Sequence, residues 1–157
     1  MLSSSLTRIS ALAPEDRARL TSLSHETGFP AGTHLFNERH RADRFWIVRT
    51  GSVALDLHVP GRRAAPIESL GPGDLLGLSW LYRPHAWQLG AEAATPVRAW
   101  EFDARVVRAE MDADPQFGAA VGHWVGQVRA HRMHTARVRL LDLYGPYGSG
   151  SAVRTRF

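Results

Sequence analysis

The chain has 157 residues, 44% of them hydrophobic and 22% charged, which is the size and composition of one globular domain. It has no cysteine and no lysine, which excludes disulfides, thiolate nucleophiles and lysine Schiff bases, and its net charge of +4 is mild for a nucleic-acid binder. No run approaches the roughly 20 apolar residues of a membrane span, and residues 1–6 lack the pattern of a secretion signal, so we expect a cytoplasmic protein.

The first predicted element is a broken helix over residues 7–24. Pro14 stands where a helix tolerates proline best, at its first position, and Glu15 and Asp16 follow in the first turn, where acidic side chains are favoured. Leu12, Leu20 and Leu23 supply the apolar positions. The segment therefore predicts a short N-terminal helix with one buried face.

Residues 28–102 change to short strands separated by turn residues. The aromatic and β-branched run at 45–48 and the strict alternation over 53–59 are typical of strands. Residues 67–70, 86–92 and 97–102 predict further strands, while residues 75–82 predict a strand end followed by a short helix. About eight strands with turns every 8–12 residues or so are typical of a sandwich or barrel.

Helical patterning returns after Asp103, which is a suitable cap for a helix over 104–111. Asp114 and Pro115 then begin a longer helix that we expect to run to about Tyr144. The predicted fold class is α+β, an antiparallel β-roll of the jelly-roll type with one N-terminal and two C-terminal helices. We expect one domain over residues 1–144 and a flexible basic tail over 145–157.

Four segments occur in an order that resembles a known family: LAPEDRARL, FPAGTHLF, FWIVRTGSVAL and LGPGDLLG, with glycines at 32, 51, 73 and 77 and Asp74. Together they resemble the cyclic-nucleotide-binding domain of the catabolite-activator (Crp/Fnr-type) family and of protein kinase A regulatory subunits. The resemblance implies the β-roll. It also implies a cassette after Gly77, in which a short helix, an arginine and a glutamate hold the phosphate and ribose of a cyclic nucleotide.

The chain departs from this pattern at the residues that grip the nucleotide. Leu78 stands where the family has glutamate, and the arginine position falls at Trp87 or Gln88. Loss of an arginine–phosphate pair removes a contact worth roughly 1.5–3 kcal/mol. We therefore predict that the domain does not bind cAMP or cGMP in the usual way and has no resident cofactor.

Aromatic residues replace the missing polar ones, notably Trp80, Tyr82 and Trp87. One hypothesis is that these rings fill the space of the nucleotide, and the other is that a planar ligand stacks on Trp80 or Trp87. The candidate pocket residues are Gly77, Leu78, Ser79, Trp80, Trp87, Gln88 and Thr135.

The long helix corresponds to the dimer seam of the family. We expect its first half to pack on the roll through Val121, Trp124, Val125 and Val128, and we expect Val138 and Leu141 to face a second copy in a homodimer. The basic positions are predicted to form a solvated face, comprising Arg129, His131, Arg132, His134, Arg137 and Arg139. Because the sequence ends soon after this helix, the resemblance predicts no helix-turn-helix and no sequence-specific DNA binding.

The histidines do not support a metal enzyme of the related cupin type, because no two are two residues apart and only His131 and His134 are close in sequence. We predict no catalytic and no metal-binding residue. The favoured function is a non-catalytic regulatory domain that acts through a protein partner. The first alternative is a sensor of a nucleotide or another planar molecule, and the second is a cupin-like metal enzyme.

Overall fold

The computed structural model describes residues 6–58, 60–61 and 63–144. A 3-10 turn at Ile9–Ala11 and helix α1 (Pro14–Thr21) precede the strands, and α2 (Ala104–Ala113) and α3 (Pro115–Tyr144) follow them. The strands are β1 (Ser24–Phe29), β2 (His34–Phe36), β3 (Arg44–Thr50), β4 (Val53–Leu57), β5 (Ala65–Leu70), β6 (Leu75–Leu76), β7 (Gly90–Ala93) and β8 (Val97–Asp103).

The strands form two sheets of four, in the orders β1-β8-β3-β6 and β2-β7-β4-β5, and every neighbouring pair is antiparallel. Non-sequential neighbours such as β8 and β3 arise because the chain crosses repeatedly between the sheets. This arrangement confirms the predicted antiparallel roll with flanking helices.

The core between the sheets contains a stack of aromatic rings. Phe45 lies between Trp80 and Phe102, with ring centroids 4.0 and 4.5 Å away, and all three side chains are fully buried. Burial of this much aromatic surface removes a large apolar area from water and so stabilises the roll.

Helix α3 has 30 residues and so measures about 45 Å. The predicted cap is confirmed, because Asp114 Oδ1 accepts hydrogen bonds from the backbone N–H groups of Gln116 and Phe117 at 3.1 and 3.4 Å. The buried residues of its first half are Phe117, Val121, Trp124, Val125 and Val128, whereas Val138 and Leu141 are more than half exposed. Within the described residues, no helix combines the length and apolarity needed to cross a bilayer.

Two parts of the roll differ from the sequence-based expectation. The sequence SHETGF at residues 24–29 has little strand propensity, yet it forms β1 because it pairs with β8 along its whole length. Residues 77–89 contain turns and no helix, and the following strand begins at Gly90 rather than near residue 86. The predicted tail and Val59 lie outside the described residues.

Candidate functional site

A cavity of about 300 Å³ lies between the roll and α3. Strands β2 and β4 provide one apolar side, residues 77–89 provide the floor, and α3 closes the opposite side. The residues that line the cavity include Phe36, Leu55, Leu57, Leu78, Ser79, Tyr82, Arg83, Trp87, Gln88, Arg129, Arg132, Met133 and Ala136.

The floor begins at Gly77, whose backbone has a φ of +103° that side chains rarely tolerate. A Cβ at this position would lie 2.8 Å from two atoms of the Trp87 ring, so glycine is also required by the close approach of the indole. Leu81 and Tyr82 donate to the carbonyls of Leu78 and Ser79 at 3.2 and 3.3 Å. Within the described residues, the N–H groups of Leu78, Ser79 and Trp80 have no backbone acceptor, as is usual at the start of such a turn.

The two tryptophans of the cassette take different places. Trp80 is fully buried in the core, where its Nε1 donates to the Gly77 carbonyl at 3.1 Å, so it does not line the cavity. Trp87 forms part of the wall and stacks on Phe36 with ring centroids 3.9 Å apart. Of these two rings, only that of Trp87 lies at the cavity, and about 300 Å³ of space remains beside it.

The other candidate residues can now be placed. Gly77, Leu78, Ser79 and Gln88 line the cavity together with Trp87. Thr135 does not line it, and the α3 residues that do are Arg129, Arg132, Met133 and Ala136. Val138 and Leu141 lie farther along α3 and are exposed.

Among the described residues, the cavity wall carries positive charge on three arginines, Arg83, Arg129 and Arg132, and includes no Asp or Glu. Arg129 lies over the ring of Tyr82, with 4.3 Å from its guanidinium carbon to the ring centroid. This cation–π contact connects α3 to residues 77–89. The wall therefore combines apolar surface with arginine, which is the side chain best suited to carboxylate and phosphate groups.

Arg132 was predicted on a solvated face of the helix, and this prediction is wrong. The residue is 6% exposed and donates from Nη2 to the backbone carbonyl of Leu75. Its Nε lies 4.0 Å from Oε1 of Glu68. Burial lowers the pKa of Arg132 to about 10, against the opposing effects of Glu68 and Asp74, so the guanidinium stays charged at neutral pH.

Glu68 lies on β5 beside Arg132, which is one of the residues that line the cavity. Its Oε1 is buried and accepts no hydrogen bond, and its Oε2 lies 3.8 Å from Nε2 of His131. Burial raises the pKa of Glu68, while Arg132 and His131 act in the opposite direction. The carboxylate is thus only partly compensated by its two basic neighbours.

Sequence reasoning missed the roles of Arg132 and Glu68, although the helix contains a usable signal. Val121, Val125, Val128 and Arg132 are spaced by four, three and four residues, which places all of them on one stripe of a helix. An arginine that continues a buried apolar stripe is expected to be desolvated. For Glu68 no comparable signal exists, because its burial depends on where α3 crosses β5.

A second cleft, of about 600 Å³, is lined by residues of β1, β8, α2 and the segment 41–44. It is lined by basic side chains, including Arg41, Arg105 and Arg108, but also by three acids, Asp43, Glu101 and Asp103. Glu101 already contacts His25 and Arg44 at 3.2 and 3.5 Å. Among the described residues, no group of three His, Asp or Glu side chains could hold a metal ion. The cavity under α3 is therefore the better candidate site.

Comparison with known proteins finds relatives of the part of the chain that contains the strands. The cyclic nucleotide-binding domain family matches residues 26–114. A CRP-like cAMP-activated global transcriptional regulator of Mycobacterium tuberculosis is 27% identical over 130 residues, which are 83% of this chain and 56% of the relative. The chain thus spans little more than half the length of the curated relatives it matches.

Solved structures agree on the fold. The N-terminal domain of a transcriptional regulator from Streptomyces coelicolor is 25% identical with a TM-score of 0.66, and the match covers 83% of this chain and 92% of that domain. A cyclic nucleotide-binding domain from Methylobacillus flagellatus is 17% identical with a TM-score of 0.76, and the match covers 92% and 82% of the two chains.

Proposed function

Because the chain belongs to the cyclic nucleotide-binding domain family, we propose that it is a non-catalytic regulatory domain that senses a small anion with a planar ring, of the nucleotide class. The observation that carries this proposal is the cavity under α3, which has apolar and aromatic walls and, in the part of the chain that the structure describes, three arginines and no acidic side chain. Its volume of about 300 Å³ lies at the lower end of the range for small-molecule pockets.

The charge of the site comes from a different place than in the family pattern. Leu78 and Trp87 or Gln88 stand at the positions where the resemblance calls for glutamate and arginine. Arg129 and Arg132 are carried instead by α3, on the opposite side of the cavity. We propose that they meet the anionic group of the ligand and that Trp87, Leu55 and Leu57 contact its ring.

Helix α3 is the element that we expect to transmit the signal. It carries cavity residues and, farther along, the exposed apolar residues Val138 and Leu141. We propose that these residues form a homodimer contact with a second copy and that a cytoplasmic protein partner responds to the liganded state. The proposed ligand contacts and the exposed apolar residues lie on one helix, and this supports a coupling between ligand binding and the dimer contact.

The test is a binding panel on the purified chain with cAMP, cGMP, AMP and GMP, followed by thermal unfolding. A ligand present at 100 times its Kd stabilises a folded protein by about 2.7 kcal/mol, so binding raises the melting temperature. Adenosine and guanosine serve as uncharged controls, and we expect them to give a much smaller shift. Tryptophan fluorescence should change on binding, and W87F should reduce that change.

Two variants act as controls for the panel. Trp100 lies on β8 under Arg49, away from the cavity, so W100F should leave the ligand-induced fluorescence change intact. R137M removes an exposed arginine of α3 and should leave binding unchanged. Absence of any shift with all four phosphates at millimolar concentration would contradict the proposed function, as would equal shifts with the nucleosides.

A further inference from the structure

Arg132 is shared between the cavity and a carboxylate behind it. Arg132 is a lining residue of the cavity, its Nη2 donates to the Leu75 carbonyl, and its Nε lies 4.0 Å from Oε1 of Glu68, which accepts no hydrogen bond. Since a guanidinium has several N–H donors in a fixed fork, donors remain for a second acceptor. An anionic group in the cavity would meet the same cation that Glu68 faces from the other side.

We propose that Glu68 competes with the anionic group of a ligand for Arg132, and so determines which ligands the cavity accepts and at which pH. This inference rests on the proposed use of the cavity as an anion site. Glu68 does not line the cavity and acts through Arg132, so it is a positioning residue. An uncharged ligand would not compete with Glu68 for Arg132, and its affinity would not include a charge–charge interaction with Arg132.

The surroundings of Glu68 explain why the competition would involve a proton. The charged groups facing it are Arg132 and His131 from α3 and Asp74 from the turn before β6, and Asp74 has its own partner in Arg8 at 3.9 Å. Burial already raises the pKa of Glu68. A second anion beside Arg132 would raise it further, so binding would be accompanied by proton uptake at Glu68.

The contact between Glu68 and Arg132 also helps to hold α3 on the roll, so a ligand that weakens this contact would affect the position of α3. Glu68 faces two consecutive helix residues, His131 and Arg132, and about two turns farther along the helix Arg139 Nε donates to the Pro66 carbonyl at 3.2 Å. These contacts hold the distal part of α3 on β5. Loss of the Glu68 contact would leave this part of the helix with a weaker hold, which is how occupancy would reach Val138 and Leu141.

Sulfate is a suitable probe, because its charge does not change between about pH 8 and about pH 5.5 and any pH dependence then belongs to the protein. Sulfate binding is measured by isothermal titration and by thermal shift, at constant ionic strength set with chloride. We expect the affinity of the unsubstituted chain to rise as the pH falls. We expect E68Q to bind sulfate about tenfold more tightly at neutral pH and with a flatter pH profile.

Three further variants separate the contributions. H131Q should keep the pH dependence, which distinguishes Glu68 from the neighbouring histidine. E68Q/R132M should lose sulfate binding. It removes both members of the pair, because R132M alone would leave the buried Glu68 carboxylate with only His131 beside it and would destabilise the fold. R137M is the matched control for loss of a charge on α3. Circular dichroism establishes that each variant is folded.

The outcomes separate this inference from the proposed function. If nucleotides bind but E68Q changes neither affinity nor pH profile, the competition is overturned and the proposed function stands. If nucleotides fail while sulfate binds E68Q in an Arg132-dependent way, the competition stands and the nucleotide proposal falls. If neither sulfate nor nucleotides stabilise the chain or E68Q, both are overturned.

Discussion

The two halves of α3 belong to one continuous helix but meet very different surroundings. In the first half, Phe117, Val121 and Trp124 are almost fully buried against the rest of the fold. In the second half, Arg132 is the buried residue, and the large apolar side chains Met133, Val138 and Leu141 are 52–61% exposed. The helix therefore changes from a structural element to the wall of a cavity and then to a free surface.

The difference shows that the apolar positions along a helix and its buried positions need not coincide. The buried stripe continues one step past Val128 and ends on a charged residue, because Arg132 finds the Leu75 carbonyl and Glu68 at the edge of the roll. Beyond that point apolar residues continue while burial stops. Substitutions in the two halves should accordingly affect different observables.

The largest effect is expected for W124A in the first half. Removal of a buried tryptophan side chain should lower the free energy of unfolding by about 3–5 kcal/mol, measured by urea denaturation. The Trp124 Nε1 is buried and has no hydrogen-bond partner among the described residues, so W124F should recover most of the loss. A loss below about 1 kcal/mol for W124A would show that this half is not anchored as described.

A substitution in the cavity floor should also lower the stability of the fold, as in the buried first half of α3. G77A combines a φ of +103° with a contact of 2.8 Å to the Trp87 ring, and it should cost about 1–3 kcal/mol and weaken ligand binding. G32A is the matched control, because Gly32 has a φ of +86° and nothing within 4 Å of its added Cβ. If both variants lose the same stability, the Trp87 contact contributes nothing.

A smaller effect is expected at the start of α3, where Arg19 of α1 forms ion pairs with Asp114 and Glu110. The hydrogen bond from Arg19, and then the backbone bond from Phe117, hold the pKa of Asp114 below its usual value. This stabilisation is complete above the unfolded-state pKa and is lost as the pH falls through the lower folded value.

The prediction is therefore that R19M is less stable than the unsubstituted chain at neutral pH and that the two melting curves converge in acid. High salt should reduce the difference, since the groups are exposed. R17M is the control on the same helix, because Arg17 forms no ion pair within the described residues. A difference that persists at acid pH would assign the effect to the contact of Arg19 with the Phe117 ring, at 4.5 Å.

The smallest effect on the stability of a single chain is expected in the second half. V138A/L141A removes exposed side chains and should change the free energy of unfolding by less than about 0.5 kcal/mol in dilute solution. The same variant should lower the mass measured by light scattering toward that of one chain. A single-chain mass for the unsubstituted protein at micromolar concentration would refute the dimer contact.

Much of the fold could be predicted because its signals are local. Asp103 accepts from the Arg105 N–H at 2.9 Å and Asp114 caps α3, and both had been placed from the order of residue types alone. The alternation over residues 53–57 became β4 for the same reason. Strand β1 was missed because its residues carry no such pattern, and the hydrogen bonds of its partner β8 supply what the sequence lacks.

The site was predicted less well than the fold. The frame residue Gly77 and the wall residues Leu78, Ser79, Trp87 and Gln88 follow from their place in the cassette, and all line the cavity. Trp80 was predicted to belong to the pocket with them, but its ring stacks on Phe45 in the core. Thr135 was one position away from Ala136, and a shift of one residue turns a helical side chain by about 100°.

The sequence by itself determined most of the elements, the caps of α2 and α3, and the replacement of the residues that hold the nucleotide in the family pattern, since these depend on neighbours along the chain. Only the tertiary structure decided that a cavity lies between the roll and α3, that Arg129 and Arg132 of α3 join Arg83 in its wall, and that Arg132 is held between a carbonyl of β6 and a carboxylate of β5. The physical reason is that desolvation is a property of position. The residue type determines whether a side chain can carry a charge, but the pKa and the interactions of that charge depend on the groups that the fold places around it.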